Sequence, residues 1–190
     1  LALLNFTYGT NSAISSQFPK VYRMSNKAEI EAAVKKAERE EADFIIALPH
    51  WGTEYSLRSN DGQREMALWL ARLGVDAIIG THPHVVQDRE ILETEDGRQV
   101  PVFYSLGNAV SNMSAKNTQV ELMVSIVLEK DCKGNVRLLD IDSDYLWCSR
   151  PGEYIDSFCT LVIEEHRDRR EDWASGYAWD RMMSSYEYVK

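Results

Sequence analysis

Phe44-Ile45-Ile46-Ala47-Leu48-Pro49-His50 and Val75-Asp76-Ala77-Ile78-Ile79-Gly80-Thr81-His82-Pro83-His84 decide the fold of this chain. Each begins as a short apolar run, the pattern of a strand buried on both faces, and each ends in histidine. Between them Asn60 and Gln63 make a capping-box pattern. Met66, Trp69, Leu70 and Leu73 then recur at helical spacing, and Gly74 offers a C′ residue. Strand, helix and strand in that order form a βαβ unit, whose strands are neighbouring and parallel. The expected class is α/β.

The same texture extends upstream. Leu1 to Tyr8 reads as a buried strand entering a loop at Gly9-Thr10-Asn11. Asn26 and Glu29 repeat the capping pattern, and Ile30, Ala33, Val34 and Ala37 predict an amphipathic helix over Lys27 to Glu41. Downstream the texture changes. Arg89 to Glu95 and Gln99 to Leu106 read as a hairpin around Glu95-Asp96-Gly97-Arg98. Val120 to Leu128 and Val136 to Leu146 alternate like strands, with a turn at Cys132-Lys133-Gly134-Asn135. Phe158 to Asp172 is expected to be helix. The tail 173–190 carries Trp173, Tyr177, Trp179, Tyr186 and Tyr188, and is either a helix docked on the body or a cover for an absent half.

Bulk properties bound the function. The 190 residues suit one domain over 1–190 with a real core. No apolar run approaches the roughly 20 residues that span a bilayer. Leu1 opens directly into an apolar stretch, with no Met and no basic leader, so the chain reads as a piece of a longer protein. The net charge of −9 argues against nucleic acid, which needs clustered Lys and Arg. An anionic substrate would be repelled overall, unless a divalent cation reverses the sign locally. Arg167, Arg169 and Arg170 alternate with acids and read as a solvated helix face. Cys132, Cys148 and Cys159 form no CxxC pair. A Cys148–Cys159 disulfide is open to them, and three plain thiols are the simpler reading.

Only four histidines occur, and His50, His82 and His84 all follow expected strands. Ligands gather at the carboxyl ends of parallel strands, so all three imidazoles should reach one sheet edge. In an extended segment residues i and i+2 share a side, which would let His82 and His84 face one site, with Pro83 stiffening the link. Neutral imidazole suits zinc, manganese or iron. A lone histidine here would read as a hydrogen-bonded strand end; three converging by topology read as metal or catalysis.

Four blocks then occur in order: Thr7-Tyr8-Gly9-Thr10-Asn11, His50-Trp51-Gly52-Thr53-Glu54-Tyr55, Gly80-Thr81-His82-Pro83-His84-Val85-Val86-Gln87 and Tyr104-Ser105-Leu106-Gly107-Asn108. With Gln63 between the second and third, the chain resembles the CapA family of poly-gamma-glutamate capsule biosynthesis proteins. The match is close over Leu1 to Asn108 and loose over Val120 to Leu146. The resemblance implies a calcineurin-like metallophosphatase β-sandwich with flanking helices, in an αββα order, of which this chain is the C-terminal part. It implies a dinuclear centre of divalent ions (Mn, Zn or Fe) shared between two halves, with His50, His82 and His84 as ligands from this half. The Gly-Asp, Asn-Leu-Glu and Asn-His blocks that such folds carry earlier do not precede these residues, so the ligand set here is expected to be incomplete and this piece inactive or weak.

The candidate catalytic residues are His50, Glu54 and Asn108. Glu54 either accepts a hydrogen bond from a ligand histidine or makes a salt bridge; Asn108 either touches the site or stabilises a turn. Tyr8, Asn11 and Trp51 are candidate substrate contacts, with turn chemistry the alternative for Asn11 and packing beneath His50 the alternative for Trp51. The function implied is a metal-dependent hydrolase acting on a phosphoester or an anionic polymer. The alternative is a non-catalytic scaffold that assists polymer synthesis or export. The resemblance implies a place at the cell envelope or outside the cytoplasm. The further partner is the absent N-terminal half of the same protein.

Overall fold

The computed structural model describes residues 1–10 and 21–190. Among the described residues, eight strands and four α-helices follow one another as β1 (Ala2–Thr7), α1 (Lys27–Arg39), β2 (Ile45–His50), α2 (Asp61–Leu73), β3 (Ala77–Ile79), β4 (Arg89–Glu93), β5 (Gln99–Phe103), β6 (Val120–Lys130), β7 (Val136–Ser149), β8 (Cys159–Val162), α3 (Ile163–His166) and α4 (Gly176–Val189). The larger sheet has the order β1-β2-β3-β5-β4, and the smaller is β6-β7-β8. In the larger sheet β1, β2, β3 and β5 are parallel, and β4 is an antiparallel edge paired with β5. The protein is therefore α/β, with two sheets flanked by helices.

Hydrophobic periodicity builds this arrangement. Ile30, Val34 and Ala37 of α1, with Met66, Ala67 and Leu70 of α2, bury against Ile45, Ala47, Ile78 and Val102 of the larger sheet. Both helices thus cover one face, as right-handed crossovers in one direction require. Phe44, Ile46 and Ala77 on the other face meet Ile126, Leu128, Val136 and Leu138 of the smaller sheet. At α2 the reciprocal Asn60–Gln63 capping box forms, and Gly74 ends the helix at φ +112°. Its orphan backbone groups are satisfied at both ends.

Two expectations change, and one open reading is decided. β1 is a sheet edge, not a buried strand: Leu1 and Leu3 are exposed while Phe6 is buried. The expected helix over Phe158 to Asp172 is instead β8, the single turn of α3, and a 3-10 turn at Arg170–Asp172. Pairing of Leu161 and Val162 with β7 outweighs local helix propensity there. The aromatic tail takes the first of its two readings: α4 docks through Met182 and Tyr186 against Val120, Leu122 and Trp147. Cys132, Cys148 and Cys159 are free thiols.

Candidate metal centre

Four adjacent parallel strands send their carboxyl ends to one edge. Tyr8 follows β1, His50 closes β2, Thr81 to His84 follow β3, and Asn108 follows β5. Main-chain bonds join these segments below the side chains. Thr81 N donates to Pro49 O (2.9 Å), Trp51 N to Thr81 O (3.0 Å) and Tyr55 N to Pro83 O (2.8 Å). The loop after His50 is also fixed from beneath. The buried Gln63 amide donates to Gln87 Oε1 (2.9 Å), and Gln87 Nε2 donates to Ser56 O (2.8 Å) and Arg58 O (3.1 Å). The Gln63 position singled out in the sequence thus both caps α2 and holds the loop that carries Glu54.

Gly80 makes this close approach feasible. A Cβ there would lie 2.2 Å from Tyr104 O and 2.3 Å from Trp51 Nε1. Those two atoms are themselves hydrogen-bonded at 2.8 Å. Trp51 is fully buried, so its side chain belongs to the core beneath the edge. That removes it from the substrate contacts and leaves the packing alternative. Asn11 lies outside the described residues.

The route by which His82 and His84 converge differs from the extended geometry expected. Both adopt left-handed backbone, at φ +107° and +62°, as does Tyr55 at +64°. Non-glycine residues rarely occupy this region, and they persist there only where the surroundings dictate it. The segment is a turn, so side-chain alternation along a strand does not apply.

The rings lie together. The His50 and His82 centroids are 4.6 Å apart, and those of His82 and His84 are 5.9 Å apart. Tyr8 lies 4.6 Å from His82 and stacks on His50 at 6.0 Å. One ligand atom each from Glu54, His82 and His84 falls within 4.8 Å of the others. Glu54 Oε1 is 3.9 Å from His84 Nε2. The carboxylate thus stands within ion-pair distance of His84, the salt-bridge alternative, and also among groups that could share a cation. Its position four residues after His50, beyond Gly52, was the available signal.

Electrostatics favour neutral rings at His50 and His82. Burial, and then repulsion from His84, hold His50 below the ordinary histidine value. Burial, and then His50, do the same to His82, while Glu54 opposes the shift. Neutral rings present lone pairs, which is what ligation needs. Asn108 fixes the third ring. Its Nδ2 donates to His84 O and to Thr118 O, both at 3.1 Å, so Oδ1 is the acceptor facing His84 Nδ1 at 3.0 Å. His84 then carries its proton on Nδ1 and turns the Nε2 lone pair toward Glu54. Asn108 thus touches the site and also stabilises the turn, which joins its two alternatives.

These residues fit a divalent cation. Two imidazole nitrogens and a carboxylate oxygen suit zinc, manganese or iron. Bonds of about 2.1 Å require donors within about 4.2 Å of one another; Glu54 and His84 meet this at 3.9 Å, and the cluster as a whole needs only a small adjustment.

Sequence comparison agrees with this arrangement of blocks. The family described as "Bacterial capsule synthesis protein PGA_cap" matches residues 1–113. The chain is 36% identical over 104 residues to the "PGA biosynthesis protein CapA" of Bacillus subtilis (strain 168), covering 55% of this chain and 26% of that protein. It is 32% identical over 90 residues to the "Capsule biosynthesis protein CapA" of Bacillus anthracis, covering 47% and 21%. The matches thus span about a quarter of those relatives' length. Among solved structures, the 5'-nucleotidase precursor from Thermus thermophilus is similar at 18% identity and a TM-score of 0.43, over 93% of this chain and 29% of that one.

Proposed function

This chain belongs to the bacterial capsule synthesis protein family PGA_cap, and from that premise we propose that it supplies half of a divalent-metal site of a hydrolase in capsule biosynthesis. The observation that carries the proposal is the clustering of Glu54, His82 and His84 ligand atoms within 4.8 Å at the carboxyl edge of the parallel sheet. A divalent cation, when bound, would make nearby water acidic and polarise the bond under attack. His82 and His84 offer it ring nitrogens, and Glu54 offers a carboxylate. His50, beside His82, is placed as a further donor or as a proton acceptor. Asn108 keeps the proton of His84 on the nitrogen turned away from Glu54. Tyr8, half exposed beside His50 and His82, forms one wall for a substrate.

The substrate class proposed is an anionic polymer or a phosphoester, with the dinuclear arrangement and the remaining ligands coming from the rest of the protein. An envelope location follows from the capsule role. No helix among the described residues is long and apolar enough to cross a membrane. A scaffold role in polymer synthesis or export is the second reading. It is favoured by the donor set itself, which among the described residues holds a single carboxylate.

Calorimetric titration of the chain with manganese and with zinc, beside the His82→Ala/His84→Ala variant, tests the site. Binding that the variant loses supports it. Equal binding by both proteins, or binding by neither, overturns the site in this chain. Hydrolysis of p-nitrophenyl phosphate by the longer protein, lost in the same variant, separates the enzyme from the scaffold.

A further inference from the structure

Where the segment before β6 meets the end of β7 and one side of α4, a cavity of about 100 Å³ opens among Lys116, Asn117, Thr118, Trp147, Arg150 and Arg181. Asn117 and Trp147 are each more than nine-tenths buried. Four of these six side chains hold a buried polar atom with no hydrogen-bond partner among the described residues: Asn117 Oδ1, Trp147 Nε1, Arg150 Nε and Arg181 Nε. Leaving such groups dry is costly, and four of them around one cavity call for a guest. Contacts outside the cavity also draw these residues together. Arg150 N donates to Glu153 Oε2 at 3.0 Å, Arg181 Nη2 donates to Glu153 Oε1, and the Arg181 guanidinium lies 5.6 Å over the Trp147 ring. Glu153 is the carboxylate of the group, and it stands against two guanidiniums. Lys116, whose ammonium lies 4.1 Å over the Tyr188 ring, adds a third cation. The surroundings are therefore positive within a chain of net charge −9.

The unmet atoms are three donors and one acceptor. Water would satisfy the hydrogen bonds and leave the charge. A tetrahedral oxyanion that keeps one proton satisfies both, since its oxygens accept from the indole and the two guanidinium N–H groups and its O–H donates to Asn117 Oδ1. We propose that this cavity is a binding site for inorganic phosphate, separate from the histidine edge. The two places are joined by one contact: Thr118 O, on the same segment as Asn117, accepts from Asn108 Nδ2 at 3.1 Å. A bound anion would brace the segment that anchors Asn108.

The test titrates inorganic phosphate into the chain by calorimetry, with a chelator present and sulfate run beside it. One phosphate should bind per chain, and sulfate should bind roughly tenfold or more weakly. Near neutral pH phosphate keeps a proton on an oxygen and sulfate keeps none, so sulfate leaves Asn117 Oδ1 unmet. Asn117 sits at φ +66°, a conformation that Asp also tolerates. Asn117→Asp should therefore keep the fold, checked by circular dichroism, and should bind phosphate roughly tenfold or more weakly, because a second carboxylate repels the anion. Trp147→Phe keeps a ring, removes the indole N–H and should weaken binding in the same direction. His82→Ala/His84→Ala should bind phosphate as the native chain does. No phosphate binding to the native chain, equal binding of sulfate, or undiminished binding by Asn117→Asp or Trp147→Phe overturns the site and leaves a cavity for water. Loss of binding in the histidine variant overturns it too, and would place the anion at the sheet edge.

Discussion

Asn108 Oδ1 accepts from His84 Nδ1 at 3.0 Å, because the Asn108 amide nitrogen is already committed to the carbonyls of His84 and Thr118. The orientation of the amide is thus set by three neighbours, and the histidine tautomer follows from it. Replacing Asn108 by Ala frees the ring to rotate and to exchange tautomers. Manganese or zinc affinity should fall about 10–100-fold, the usual effect of losing such a supporting contact. Two carbonyls also lose their donor, so the melting temperature should drop as well. Undiminished affinity in Asn108→Ala would show that His84 is not a ligand.

His82 sits at φ +107°, a conformation in which a Cβ is costly and glycine is not. Relief of about 1–2 kcal/mol should exceed the chain-entropy cost of glycine, roughly 0.5–1 kcal/mol. His82→Gly should therefore melt about 2 °C higher than His82→Ala, with metal affinity equally reduced in both. Comparing the two variants separates the backbone from the imidazole. A lower melting temperature for the glycine variant would mean that the left-handed turn is not strained.

Much of this arrangement was legible in the sequence because its causes are local. The Asn60–Gln63 box, the Gly74 cap and the apolar stripes of α1 and α2 specify their helices directly. Parallel pairing of β2 with β3 then brings His50 level with Thr81. What could not be read locally depends on contacts far apart in the chain. β8 forms because Leu161 and Val162 find β7, against a helical local pattern. The left-handed backbone at His82 and His84 is imposed by a turn tied to Tyr55 and Asn108. Glu54 comes near the histidines on a loop that Gln87 holds from below.

Gly80 shows how little tolerance the edge has. A methyl group there would press on the Tyr104 carbonyl at 2.2 Å and the Trp51 indole at 2.3 Å, and backbone cannot yield as a flexible side chain can. Gly80→Ala should cost about 2 kcal/mol or more, read as a lower urea midpoint. Thr81 and His82 follow immediately, so metal affinity should fall too, although no ligand is changed. A variant with native stability and native affinity would contradict the close packing of Trp51 against Tyr104.

Glu121 supplies a pH-dependence separate from the histidines. It is the second residue of β6, bridged to Gly107, and its Oε2 is buried without a hydrogen-bond partner among the described residues. Burial pushes its carboxyl up from 4.5 to about 7. A raised carboxyl binds protons more tightly in the folded chain than in the unfolded one. Its contribution is thus fully present below about pH 4.5 and is lost as pH rises through about 7. Glu121→Gln removes the ionisation and keeps the shape. The variant should match the native chain near pH 4.5 and exceed it at pH 8 by on the order of 1 kcal/mol, since the group is half-buried and partly screened by water. Thermal melts of both proteins across that range measure the difference. A constant offset at every pH would show that Glu121 titrates normally and that its buried oxygen meets water.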